Sequence, residues 1–187
     1  MRIFTLILAI VIATPIWAAE LGDDGLHKAA WMRNTFKDVA EDLQEANSEG
    51  KRMLILFEQR GCIYCTQMHE EVFPDPAIFQ YIKDNYFVVQ MNLFGDEEVT
   101  DFDGTVLSEK KMASRWGVVF TPTMLFMPET VEPGKTTGQS AVMVMPGAFH
   151  KGTTLDLLNF VVEKGYEGDE HFQKYHARMI KQRAAQN

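Results

Sequence analysis

Met53-Leu54-Ile55-Leu56-Phe57 is a short, unbroken apolar run. Such a run fits a strand buried on both faces, and that strand needs a layer of structure on either side. Tyr86-Phe87-Val88-Val89-Gln90-Met91-Asn92-Leu93 reads as the next strand. Two more follow, one in "GVVFTPTMLFMP" and one in "SAVMVMPGAF", joined by a loop rich in Pro, Gly and Thr. Helical patterns lie between and around these runs. A βαβ unit followed by a ββα unit builds an α/β fold, a mixed central sheet with helices on both faces.

Before the first strand, Met32, Phe36, Val39, Leu43 and Ala46 recur at four- and three-residue steps, which predicts an N-terminal helix ended by Gly50. From Cys62 to about Phe73 the pattern is again helical and stops at Pro74 and Pro76, and "AIFQYIKDN" predicts a second short helix. An acidic interruption follows. In it Asp103-Gly104 sits between "VTDF" and "TVL", a hairpin signal, with its charges expected in solvent. Ser108 is placed to cap a helix running through Trp116, which is read as core. "TTLDLLNFVVEKG" predicts an amphipathic helix with a threonine cap and Gly165 after it. The last stretch predicts a helix with Phe172, Tyr175 and Met179 on one side. The boundaries are 1–19, 20–165 for one domain, and 166–187 for a C-terminal helical extension. A chain of 187 residues has room for one such core.

Residues 1–19 have the layout of a secretory signal peptide. Arg2 is followed by an apolar run from Ile3 to Ala13, then Pro15 and the small pair Ala18-Ala19. The run is shorter than the roughly 20 apolar residues of a membrane span, so cleavage after Ala18 or Ala19 is expected ahead of an uncleaved anchor. Export to the periplasm is the localisation this implies. Net charge is −8 with no Lys/Arg cluster, which argues against nucleic acid or an anionic membrane as a partner.

The chain has two cysteines, Cys62 and Cys65, both in "RGCIYCT" directly after the first strand. A disulfide between them closes almost no loop and makes a poor staple, so the pair does redox chemistry or holds a metal. At the first turn of a helix the unpaired N–H groups and the macrodipole favour a thiolate. Cys62 can then attack a foreign disulfide and Cys65 can resolve the mixed disulfide. Arg60, just upstream, adds positive charge. Pro122 conflicts with a regular central strand, and a cis Thr121-Pro122 bond at the strand's start removes the conflict.

With these phrases in place, the chain resembles the thioredoxin superfamily over most of residues 20–165. It is most similar to exported thioredoxin-related proteins of the SoxW type, on "GKRMLILFEQRGCIYC", "MHEEVFPDPAIFQYIKDNYFVVQMNL" and "RWGVVFTPTMLF". The resemblance implies a thioredoxin fold with extra N- and C-terminal helices and a thiol–disulfide oxidoreductase that needs no cofactor. Carried over from the family, Thr121 and Pro122 would dock the partner's chain beside Cys62, and Ile63 and Tyr64 are expected to form surface for partner contact. The implied partners are exported proteins bearing disulfides or persulfides, among them those of sulfur oxidation, and a membrane thiol-electron donor of the DsbD or CcdA kind. A monomer is expected. The direction of electron flow stays open between reductase, oxidase and isomerase.

Many thioredoxins carry a buried acid six residues before the first cysteine, and here that position is Leu56. Glu58 shares its strand parity. It either accepts the proton of Cys65 or faces water at the strand end. No metal site is expected, because Cys62, Cys65 and His69 fall short of four zinc ligands and His69 is read as exposed or partly packed. A metal or copper chaperone using those three residues is the alternative from another class, and a binding module without turnover is a further one. Position 66 is Thr, which excludes a c-type haem motif, and the glycine of "DFDGTVLSE" comes too early for a calcium loop. Methionines 124, 127, 143 and 145 are read as core filling.

Overall fold

The computed structural model describes residues 19–186. The predicted signal segment therefore lies, but for Ala19, outside the described residues. The elements in chain order are β1 (Glu20–Leu21), β2 (His27–Lys28), β3 (Met32–Arg33), α1 (Val39–Ser48), β4 (Arg52–Glu58) and α2 (Ile63–Gln67). A π-helical turn (Met68–Val72) continues α2, followed by α3 (Pro76–Asn85), β5 (Tyr86–Asn92), β6 (Glu98–Thr100), β7 (Val106–Ser108) and α4 (Glu109–Arg115). Then come β8 (Thr123–Phe126), α5 (Thr137–Ser140), β9 (Met143–Pro146), α6 (Lys151–Val162), a 3₁₀ turn (Gly165–Glu167) and α7 (Phe172–Gln186). Among the described residues no helix is long and apolar enough to cross a membrane.

Five strands form one mixed sheet in the order β3-β5-β4-β8-β9. β4 runs parallel to β5 and antiparallel to β8, so the strand that carries the cysteine motif is the middle one. Its side chains divide by parity between two cores. Met53, Ile55 and Phe57 pack with Phe87, Val89 and Leu125 on the face that α1 and α4 cover. Leu54 and Leu56 pack with Val88, Met124 and Phe126 on the other face, against Met68, Ile78, Leu157 and Phe160. This two-sided burial is the mixed sheet with helices on both faces that the apolar runs predict.

α7 lies on α6, with Phe172 and Tyr175 buried and Met179 partly so. Polar contacts reinforce it. The buried Asp156 of α6 accepts two hydrogen bonds from Arg183 (2.6 and 2.9 Å), and the His176 ring meets the same carboxylate at 2.6 Å.

Several sequence expectations need correction. The first helix starts at Val39, where the Asp38 carboxylate accepts the N–H groups of Ala40 and Glu41. Met32 instead pairs with Val88 at the sheet edge, and Phe36 is 97% exposed. Pro76 opens α3 at its first turn, where its missing N–H costs nothing. His150, not a threonine, precedes α6. Ser108 does hold the cap position of α4, but its hydroxyl makes no capping hydrogen bond.

The hairpin about Asp103-Gly104 forms as β6 and β7, yet its acids are not all solvated. Asp101 is buried and accepts from Arg115, the Trp116 indole, and both the N–H and hydroxyl of Thr137. Glu109 is buried against Lys37.

Candidate active site

The motif begins where β4 ends. Gly61 turns the chain with φ +70°, a conformation that an L side chain resists. Cys62 then occupies the cap position of α2, and its Sγ accepts the N–H of Cys65 at 3.0 Å. The two sulfurs are bonded to each other. Cys62 keeps 7% of its surface exposed while Cys65 has none, so the first cysteine is the one nearer to solvent.

Antiparallel pairing of β8 with β4 brings the loop before β8 to the same end of the sheet, with Thr123 opposite Phe57. The Thr121–Pro122 peptide is cis. The Thr121 hydroxyl lies 3.3 Å from Cys62 Sγ, which puts both sequence-predicted docking residues beside the disulfide. Ile63 and Tyr64 are exposed on the motif turn. Val119 and Phe120, also exposed, extend the apolar rim and went unnoticed in the sequence. The Arg60 side chain turns away, its Nη2 donating to the carbonyl of Asp23 and its stem lying over Gly25.

Glu58 does not face water. It is 1% exposed and sits on the same face of β4 as Leu56, where Gln90 Nε2 donates to its Oε2 at 2.5 Å. The His69 Nε2 is 2.9 Å from its Oε1, and His27 Nδ1 is 3.8 Å from the same oxygen. His69 is 2% exposed, against the expectation of an exposed or partly packed residue. The i→i+5 bond from Phe73 N–H to the Met68 carbonyl widens the turn that carries it, and its ring stacks on His27 at 4.4 Å and near Trp31. Burial and the neighbouring His69 ring hold His27 below the ordinary histidine pKa, against the opposite pull of Glu58.

Among the described residues, the three donors close enough to share one ion are His27, Glu58 and His69, within 4.8 Å of one another. The cysteines are not part of that group. Gln90 and His27 were missed in the sequence. Gln90 had a usable signal, as a polar side chain inside an otherwise apolar strand, the same anomaly as Glu58 at the end of β4.

Comparison with known proteins agrees with this geometry. The profile of the thioredoxin-like domain matches residues 39–148. The chain is similar to a thioredoxin-fold protein from Helicobacter pylori at 19% identity and TM-score 0.58, over 74% of this chain and 87% of that one. It is also similar to a thioredoxin from Thermus thermophilus at 24% identity and TM-score 0.51, over 68% and 86%. No curated protein sequence matches it. The family match spans more than half of the chain and contains the strand, the bonded pair and the proline loop. The chain belongs to the thioredoxin-like domain family, as a thiol–disulfide oxidoreductase.

Proposed function

We propose that the protein works outside the cytoplasm, in the periplasm, and reduces disulfides or persulfides of other exported proteins. The carrying observation is the asymmetry of the pair, with an accessible Cys62 flanked by Thr121 and a fully enclosed Cys65. In the reduced protein the Cys62 thiolate attacks a client disulfide, forming a mixed disulfide and expelling one client thiolate. Cys65, deprotonated, then attacks Cys62 Sγ. The mixed bond breaks, the second client thiolate leaves, and two electrons have passed to the client. The Thr121 hydroxyl and the rim of Ile63, Tyr64, Val119 and Phe120 line the path of the incoming chain.

We assign the proton of Cys65 to Glu58 on its burial at the strand end that leads into the motif. The cycle itself rests on the two sulfurs. Export is supported by the layout of the first 19 residues. The SoxW-like phrases support clients among sulfur-oxidation proteins and a membrane thiol donor of the DsbD or CcdA kind.

A Cys65→Ser variant tests the reading, because it stalls the cycle at the mixed disulfide. Incubation of the reduced variant with a disulfide-bearing polypeptide should give a covalent adduct that reductant releases. The absence of any adduct, with Cys62 shown to be free, overturns the proposal. The equilibrium potential against glutathione fixes the direction: about −270 mV marks a reductant and about −120 mV an oxidant.

A further inference from the structure

The three buried donors behind the disulfide come from distant parts of the chain. His27 lies in β2, Glu58 ends β4, and His69 lies in the π turn. Zinc bound tetrahedrally at 2.0–2.1 Å keeps its donor atoms about 3.4 Å apart. The two separations from Glu58 Oε1, 2.9 Å to His69 and 3.8 Å to His27, bracket that value.

The outer contacts hold the far side of the cluster, while the inward-facing atoms meet one another. Gln90 Nε2 holds Glu58 Oε2, which leaves Oε1 facing the histidines. On the far side of His27, Nε2 is 3.5 Å from the Thr66 hydroxyl oxygen, and that hydroxyl donates to the Cys62 carbonyl at 3.2 Å. His27 Nδ1 and His69 Nε2 thus converge on one buried carboxylate oxygen, Glu58 Oε1. Two imidazole nitrogens and a carboxylate gathered in this way make a donor set that a divalent cation can occupy in place of a proton. Ligating histidines commonly give their second nitrogen to such an outer partner.

We propose that His27, Glu58 and His69 form a binding site for a divalent first-row transition ion of the zinc class, made without either cysteine. Imidazole nitrogens suit zinc, copper and nickel better than the hard cations that prefer oxygen. Three protein ligands leave a fourth position for water, and His27, at 9% exposure, keeps the edge that water can reach. Loading draws His27 Nδ1 and Glu58 Oε1 together from 3.8 Å and moves His69 Nε2 and Glu58 Oε1 apart from 2.9 Å. The ligand set differs from the Cys62, Cys65 and His69 set of the alternative chaperone reading, and it is available while the disulfide is intact.

The test is a titration of tag-free, chelator-stripped protein in its disulfide form with Co²⁺, followed by displacement with Zn²⁺. One equivalent should bind with visible d–d absorption and no thiolate charge-transfer band. His27→Asn and Glu58→Gln should each weaken binding at least about tenfold, and the Cys62→Ser/Cys65→Ser double variant should match the parent. His27 is chosen over the enclosed His69 so that the fold survives, as checked by circular dichroism. Zn²⁺ should raise the melting temperature of the parent and leave that of His27→Asn unchanged. The proposal is overturned if the disulfide form binds no ion, if His27→Asn binds as well as the parent, or if binding disappears with the cysteines.

Discussion

Replacing Asp42 by Asn should stabilise the protein at neutral pH and do nothing at pH 3. Asp42 lies on the inner side of α1 and is buried, with one hydrogen bond, from the Thr35 hydroxyl at 3.1 Å. Burial, reinforced by the nearby carboxylates of Asp38, Glu45 and Glu41, outweighs that bond and pushes its pKa up to about 6 from 3.8. The folded state thus binds the proton more tightly than the unfolded state. This contribution to stability is complete below pH 3.8 and is lost as pH rises through about 6.

A rise of that size corresponds to about 3 kcal/mol at most, and solvent screening of a group near the surface cuts this to about 1–2 kcal/mol. Asn keeps an acceptor for Thr35 and cannot ionise. At pH 7.5 the variant should therefore melt higher by about 2–4 °C per kcal/mol gained. Thermal or urea unfolding of both proteins from pH 3 to 8 measures the gap. A gap that stays constant over that range, or one that widens toward acid, refutes the reasoning.

Gly61→Ala should lower the stability measured by urea unfolding by about 1–2 kcal/mol, because φ +70° is strained for alanine; an unchanged midpoint contradicts the assigned turn. Asp156 behaves opposite to Asp42. Although burial opposes it, the hydrogen bonds from Arg183 and His176 hold its pKa below the usual carboxylate value. Its stabilisation is present above pH 3.8 and is lost as pH falls through the lowered folded value. Amide exchange in α7, taken relative to the intrinsic exchange rate at each pH, should accordingly speed up at strongly acidic pH in the parent. In Asp156→Asn it should be faster than in the parent at pH 7, and equal exchange at pH 7 would show that the clasp does not hold α7.

The parts of the fold set by local pattern were legible. The two-sided strands, the hairpin at Asp103-Gly104 and the helix after Cys62 all follow from runs and spacings within a dozen residues. The first helix misled because Met32 and Phe36 happen to continue its apolar period, while the stronger local signal was the Asp38 cap. Lys37, with φ +59°, breaks the period just before that cap. The site was legible where chemistry and neighbours in sequence coincide, as in the cysteine pair and Thr121-Pro122. It was opaque where it depends on long-range packing. Gln90 reaches the His27 carbonyl and Glu58 from 63 and 32 residues away, and no spacing rule foretells those bonds. His69 was partly readable. It lies four residues after the buried Cys65, on the inward side of the same helical turn.

The two margins of the main sheet have a consequence for solubility. β3 offers only two residues, and β9 ends in Pro146, whose nitrogen has no hydrogen to donate. Neither border is a good template for a stray extended segment. A sheet with such borders is guarded against taking up the edge strand of a neighbouring chain.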